Sequence, residues 1–181
     1  MSKIVVLLVG GSGSGKSTLE SNLKLTAPDQ FEKIVSTTTR APRAGEVDGV
    51  DYHFVSKEVF DTLDLMERVE FNGNFYGVEA KEFETEKDIL LVVEPNGAKQ
   101  IIDKLQGKTP YLLIYMGGAS RANMELRGDS KEDIEKRLAG DDIEKRFQES
   151  GLVANKQIKK LTPNLHLDVY EYISFFKKNL M

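Results

Sequence analysis

The sequence predicts an α/β fold, in which a parallel sheet is flanked by helices, and three observations predict it. Short apolar runs rich in β-branched residues occupy residues 4–9, 88–93 and 111–115, as expected of strands buried on both faces. Helical composition follows the first run at 16–25 and separates the other two at 98–105, where Ile101, Ile102 and Leu105 share a face. A glycine-rich turn at 10–15 joins the first strand to its helix. Strand, helix and strand in that order imply right-handed crossovers between parallel neighbours.

The first run, Ile-Val-Val-Leu-Leu-Val, is too short to span a bilayer, and no signal-type cleavage site follows it. It reads as a buried strand, and the cytoplasm as the compartment. Residues 36–78 differ in kind: they are rich in Thr, Arg, Gly and aromatics, with Asn72-Gly73 as a hairpin turn. They predict a small β-rich insertion. Residues 120–150 are highly charged and helical, with Gly128 and Gly140 as hinge positions. A rather polar strand is expected near 157–161. Residues 168–178 predict an amphipathic terminal helix that buries Val169, Tyr172, Ile173 and Phe176. His166, just before it, reads as a packing or capping residue, and His53 as a structural or rim residue on a strand. The charged run 131–146 reads mainly as a solvated helical face.

With 181 residues, 40% apolar and 30% charged, the chain fits one globular domain. Its net charge of -4 excludes the diffuse positive field of a nucleic-acid binder, so any phosphate must be gripped locally. There is no cysteine, and the two histidines cannot make a zinc site alone.

Gly10-Gly11-Ser12-Gly13-Ser14-Gly15-Lys16-Ser17 matches the phosphate-loop pattern G-x-x-x-x-G-K-[ST] in full. Glycines let the backbone of Gly11, Ser12, Gly13, Ser14 and Gly15 wrap a phosphate and aim its N–H groups inward. The start of the helix, at Lys16, Ser17 and Thr18, adds a positive dipole end. Lys16 supplies a point charge for the β- and γ-phosphates, and the Ser17 hydroxyl is the candidate Mg²⁺ ligand. The motif alone implies a nucleoside triphosphate and says nothing of the fate of the γ-phosphate.

A second cationic stretch follows. Arg40 and Arg43 lie three apart, Pro42 stiffens the backbone between them, and the hydroxyls of residues 36–39 precede them. Guanidinium forks and hydroxyls together suit a phosphate dianion. A solvated polar loop is the other reading of these residues.

Residues 36–54 carry S-x-T-T-R-x-x-R-x-G-E-x-x-G-x-x-Y-x-F at every fixed position, and in this they resemble the nucleotide-binding segment of guanylate kinases. Gly73-Asn74-Phe75-Tyr76-Gly77 is similar to that family's G-N-Y-Y-G, and the run 65–71 to the segment before it. The resemblance covers most of residues 3–105 and is weaker through the helical arm. It implies a P-loop NTPase core (1–35, 80–119 and 151–181), an insertion that binds a nucleoside monophosphate (36–79) and a short helical lid (120–150). By motif position it implies that Ser36, Arg40, Arg43, Tyr52 and Tyr76 hold the acceptor phosphate. Glu67 would accept hydrogen bonds from guanine, with Glu94 close to the base. Lys16, Arg127 and Arg137 would act on the transferring phosphoryl group, with Arg121 a weaker third arginine. The partners implied are ATP and a nucleoside monophosphate, GMP or dGMP foremost, without nucleic acid or membrane, for a monomer or homodimer.

The chain departs from the family pattern in four places. Val78 stands where a hydroxyl usually touches guanine, and Val92 where an aspartate often lies near Mg²⁺. The segment between 60 and 67 and the lid are both short. Three other functions therefore stay open on sequence: a kinase of another nucleoside monophosphate, a kinase of a phosphorylated sugar, and a non-catalytic binding module of the same family.

Overall fold

A computed structural model describes residues 3–43, 45–71, 73–117, 120–140, 142–159 and 161–180. Strands β1 (Val5–Val9), β2 (Phe31–Lys33), β7 (Asp88–Val92), β8 (Tyr111–Tyr115) and β9 (Lys156–Gln157) form a sheet in the order β2-β7-β1-β8-β9. Every pairing in it is parallel. β1 lies at the centre, and all five of its residues are buried. Its alternate side chains feed two cores. Val6 and Leu8 meet Leu19 and Leu23 of α1 (Lys16–Thr26) and Val169 and Ile173 of α7 (Leu165–Lys178). Val5, Leu7 and Val9 meet Ala98, Ile101 and Leu105 of α3 (Pro95–Leu105), and Phe147 of α6 (Ile143–Glu149). At about 2 kcal/mol for each fully buried aliphatic side chain, this one strand anchors both helical layers. The continuous apolar run is what a strand covered on two faces requires.

A second sheet has the order β4-β3-β6-β5, from β3 (Thr37–Thr38), β4 (His53–Phe54), β5 (Leu65–Phe71) and β6 (Asn74–Glu79). The short α2 (Lys57–Phe60) lies between β4 and β5. β5 and β6 form an antiparallel hairpin that turns through Gly73; its other turn residue, Asn72, lies outside the described residues. Val78 of β6 reaches back into the core beside Ile34 and Val93. The exposed edge of β5 is closed by α3. Gln100 exchanges two hydrogen bonds of 3.1 Å with the Arg68 backbone, and Lys104 donates to the Leu65 carbonyl.

The charged arm is three helices, α4 (Arg121–Arg127), α5 (Lys131–Gly140) and α6. Gly128 ends α4 in the left-handed region, and Gly140 is the last residue of α5. Three expected boundaries are corrected. The helix expected at 98–105 begins at Pro95, because proline fits the first helical position. The terminal helix begins at Leu165. The strand expected at 157–161 is only Lys156–Gln157. Ile158 still donates to the Tyr115 carbonyl, but the chain then leaves the sheet toward Pro163, which has no N–H to offer a ladder.

Candidate active site

The site begins at the turn between β1 and α1. Gly13 there has φ of 72°, and a Cβ on it would lie 2.6 Å from the Ser120 carbonyl oxygen. Only glycine lets the loop lie against the start of α4. Two hydrogen bonds hold that approach: Ser120 N–H to the Ser12 carbonyl at 2.8 Å and Asn123 Nδ2 to the Gly13 carbonyl at 2.7 Å. Lys16 turns back into the loop, and its Nζ donates to the carbonyls of Gly10 at 2.6 Å and Gly11 at 2.8 Å. Those bonds fix the ammonium within the loop. Ser17 and Thr18 are exposed in the first turn of α1, where the helix favours an anion.

A cleft of about 650 Å³ opens over this loop. It is lined by loop residues 12–18, by Tyr52, Val92 and Glu94, by Asn123 and Arg137 of the arm, and by Leu161, Pro163 and His166. The loop, Tyr52, Glu94 and Arg137, singled out separately in the sequence, thus share one space. Gly11 is buried beneath it. Arg121 instead pairs with Glu135 at 2.8 Å, linking α4 to α5. The side chain of Arg127, at the end of α4, lies outside those described.

Tyr52 leads to a cationic cluster. The Arg40 guanidinium stands 5.4 Å from the centre of the Tyr52 ring, and the Tyr52 and Tyr76 rings are 6.1 Å apart. Arg40 is held in a fork, with Nη1 and Nη2 each 2.9 Å from a Glu46 carboxylate oxygen. Glu46 also accepts the Arg43 N–H at 2.7 Å. The Arg40 fork, helped by that N–H, holds the Glu46 carboxyl below its ordinary range. Burial raises the Tyr52 phenol above its usual value, which keeps it a hydrogen-bond donor. The Ser36 carbonyl takes the His53 N–H at 2.9 Å and so ties the cluster to β4. The Arg43 side chain is exposed. Arg40, Arg43, Ser36 and Tyr76 are not among the cleft-lining residues; Arg40 and Tyr76 connect to the cleft through the Tyr52 ring.

Glu94 leads to an acidic cluster. Glu67 of β5 is 5% exposed, and its Oε2 has no hydrogen-bond partner among the described residues. A β-bulge between Leu65 and Glu67 sets it opposite Val78. A Cβ on Gly97 would lie 2.9 Å from Glu67 Oε2, so the first turn of α3 is cut back to admit the carboxylate. Burial and then the Glu94 charge push the Glu67 carboxyl up to about 7, against the pull of Lys104. Glu94 in turn receives Arg146 Nη1 of α6 at 2.7 Å. Val78, 1% exposed, is apolar core.

Sequence reasoning missed four contributors. Glu46 was legible as a motif position without a role. Arg146 belongs to the run read as a solvated face. Asn123 carries no local signal. His166, expected to pack or cap, also lines the cleft.

The comparisons with known proteins agree with one another. The family model described as guanylate kinase matches residues 1–169. The guanylate kinase of Nitratidesulfovibrio vulgaris is 39% identical over 148 residues, covering 76% of this chain and 71% of that protein. That of Latilactobacillus sakei subsp. sakei is 33% identical over 97% of this chain and 96% of its own length. In fold, the crystal structure of guanylate kinase from Anaplasma phagocytophilum matches 98% of this chain and 86% of that one, with a TM-score of 0.67 at 22% identity.

Proposed function

Because this chain belongs to the guanylate kinase family, we propose that it transfers the γ-phosphoryl group of ATP to GMP or dGMP, releasing ADP and the nucleoside diphosphate. One observation carries the reading: the phosphate loop, Tyr52 and Glu94 line a single cleft, so a triphosphate on the loop faces an acceptor reached through those two residues. ATP would lay its phosphates on loop residues 11–18, with its base toward Leu161, Pro163 and His166. The acceptor phosphate would rest on Ser36, Arg40, Arg43, Tyr52 and Tyr76, and its base on Glu67 and Glu94. In this reading 36–79 and 120–150 are the moving parts that close over the core.

An acceptor phosphate oxygen attacks the γ-phosphorus, the bond to the β–γ bridging oxygen breaks, and ADP leaves with that electron pair. No proton has to be abstracted, so the protein's work is alignment, charge and exclusion of water. Lys16, the loop amides, Arg137 and Arg127 would meet the charge on the transferring oxygens. Among the described residues no group of three or more His, Cys, Asp or Glu could hold a metal. Ser17, exposed in the first turn of α1, would offer its hydroxyl to a Mg²⁺ ion brought in with ATP. When bound, the ion supplies positive charge to the β- and γ-phosphates.

Guanine offers N1–H and N2–H donors, and an ionised Glu67 with a bare oxygen accepts them. With Val78 in the core, the discrimination falls on the carboxylates. Neither the sugar-phosphate nor the non-catalytic reading is favoured, since Lys16 and Ser17 are in place and two carboxylates stand at the base end. Among the described residues no helix is long and apolar enough to cross a membrane; the cytoplasm is the compartment this reading implies.

The test is an acceptor panel with ATP and Mg²⁺, following ADP release. GMP or dGMP should outcompete AMP, CMP, dTMP and ribose 5-phosphate. Equal turnover of all acceptors, or preference for the sugar phosphate, would contradict the proposal.

A further inference from the structure

Arg146 stands outside the roles above. It lies on α6, a helix packed on α3, and its Nη1 is 2.7 Å from Glu94 Oε2. The two side chains are 35% and 44% exposed. An ion pair so open to water contributes at most about 1 kcal/mol to stability, so stability is a weak reason for it. Its surroundings give a stronger one. Glu94 is the N-cap residue of α3, and Gly97 in the first turn of that helix lies so close to Glu67 that a Cβ on it would be 2.9 Å from Oε2; the Glu94 charge therefore acts on that buried carboxylate, whose Oε2 is otherwise without a partner among the described residues. Among the described residues, the charges that act on Glu67 are Glu94 at the N-terminus of α3 and Lys104 of the same helix, with Arg146 of α6 paired to Glu94. β6 sets Val78 opposite it.

We propose that Arg146 is a positioning residue for base selection: by holding Glu94 in an ion pair it offsets the negative charge beside Glu67, so that the bare Glu67 oxygen stays an acceptor toward the base. The inference rests on the guanine-acceptor reading above. Its chemistry is a matter of donors and acceptors. An ionised carboxylate only accepts, which matches the two donors of guanine; a protonated one presents an O–H, which clashes with N1–H and suits the N1 acceptor of adenine. Two uncompensated carboxylates in one pocket hold a proton between them. Removing Arg146 therefore turns Glu67 from a guanine reader into a poorer one, and does so most at low pH.

The experiment measures kcat/KM for GMP against pH, from 5.5 to 8.5, in wild type, R146M, R146K, E94Q and R146M/E94Q, together with KM for ATP. The acid limb of this ratio reports the free protein and free substrate. The phosphate of GMP titrates identically in all five proteins, so differences between limbs belong to the protein. R146M should move the limb up by about one pH unit, lowering kcat/KM below the limb up to about tenfold, with KM for ATP unchanged. R146K should keep the wild-type limb. E94Q should move it down, and the double variant should follow E94Q, because without the Glu94 charge nothing remains to compensate. A wild-type limb in R146M, or a double variant that follows R146M, would overturn the inference while leaving GMP as the acceptor. A wild type that ignores GMP would instead overturn the acceptor reading, and this inference with it. If R146M does not fold, as judged by its thermal melt, R146Q takes its place: the same upward move of the limb supports the inference, and a wild-type limb overturns it.

Discussion

Glu20 lies on the inner face of α1, 5% exposed. Burial pushes its carboxyl from an ordinary 4.5 up to about 7, although Lys33 and the Val92 N–H pull the other way. An acid that binds its proton more tightly when folded loses folding free energy as pH rises through that window, and the loss is complete above the folded value. Glu20→Gln keeps an acceptor for Val92 and carries no charge. It should therefore be more stable than wild type by about 1–3 kcal/mol at pH 8, with the gain vanishing by pH 4.5, as read by denaturant melts at the two pH values. Arg40 is the other residue whose replacement is informative. Arg40→Ala removes the charge held by the Glu46 fork and should raise KM for GMP about tenfold or more, the worth of a charge-assisted bond, while calorimetry finds ATP affinity intact. Unchanged acceptor kinetics would show that the cationic cluster serves something else. Residues of these two kinds differ in legibility. Lys16 announces itself, since glycines and a lysine at fixed spacing have few other uses. Glu67 is one carboxylate on a strand, and only the resemblance gave it a role. Arg146 looks like any other charge on an amphipathic helix, because its partner, Glu94, is 52 residues away in sequence.

At the level of elements, Asp88 is the tie at the start of β7. It is 2% exposed and accepts from Ile4 N–H before β1, from Gln30 Nε2 before β2, and from Lys177 Nζ of α7 at 2.6 and 2.7 Å. Lys177→Met keeps the stem and removes the ammonium, leaving a buried carboxylate without its cation. The expected cost is about 3 kcal/mol, measured by urea unfolding, and a loss under 1 kcal/mol would show the pair to be incidental. The loop and α4 form a second unit. Gly13→Ala brings a methyl group onto the Ser120 carbonyl and strains a left-handed φ, about 1–3 kcal/mol of conflict. It should raise KM for ATP about tenfold while the melt moves little, because the conflict can be relieved by parting α4 from the loop. The central strands were legible because each is a short apolar run bounded by turns. The end of the sheet was not: β9 is two residues long, too short for any period, and the following loop turns Leu161 over Gly15 for reasons that lie in the cleft rather than in its own composition.

For the whole molecule, phosphoryl transfer depends on one spatial relation. A chain of net charge -4 sets cations for phosphate at two places, Lys16 of the phosphate loop and the Arg40 cluster, and Tyr52 belongs to both the second cluster and the cleft over the first. If those places face one another, a ligand that fills both should gain the effective concentration of linkage. The direct measurement is the affinity of adenosine and guanosine joined through five phosphates, set beside ATP and GMP alone, by calorimetry. The linked ligand should bind about 100-fold more tightly than either substrate, and Arg40→Ala should erase that gain while ATP binding stays. A linked ligand that binds no more tightly than ATP, with wild type and Arg40→Ala alike, would contradict the account.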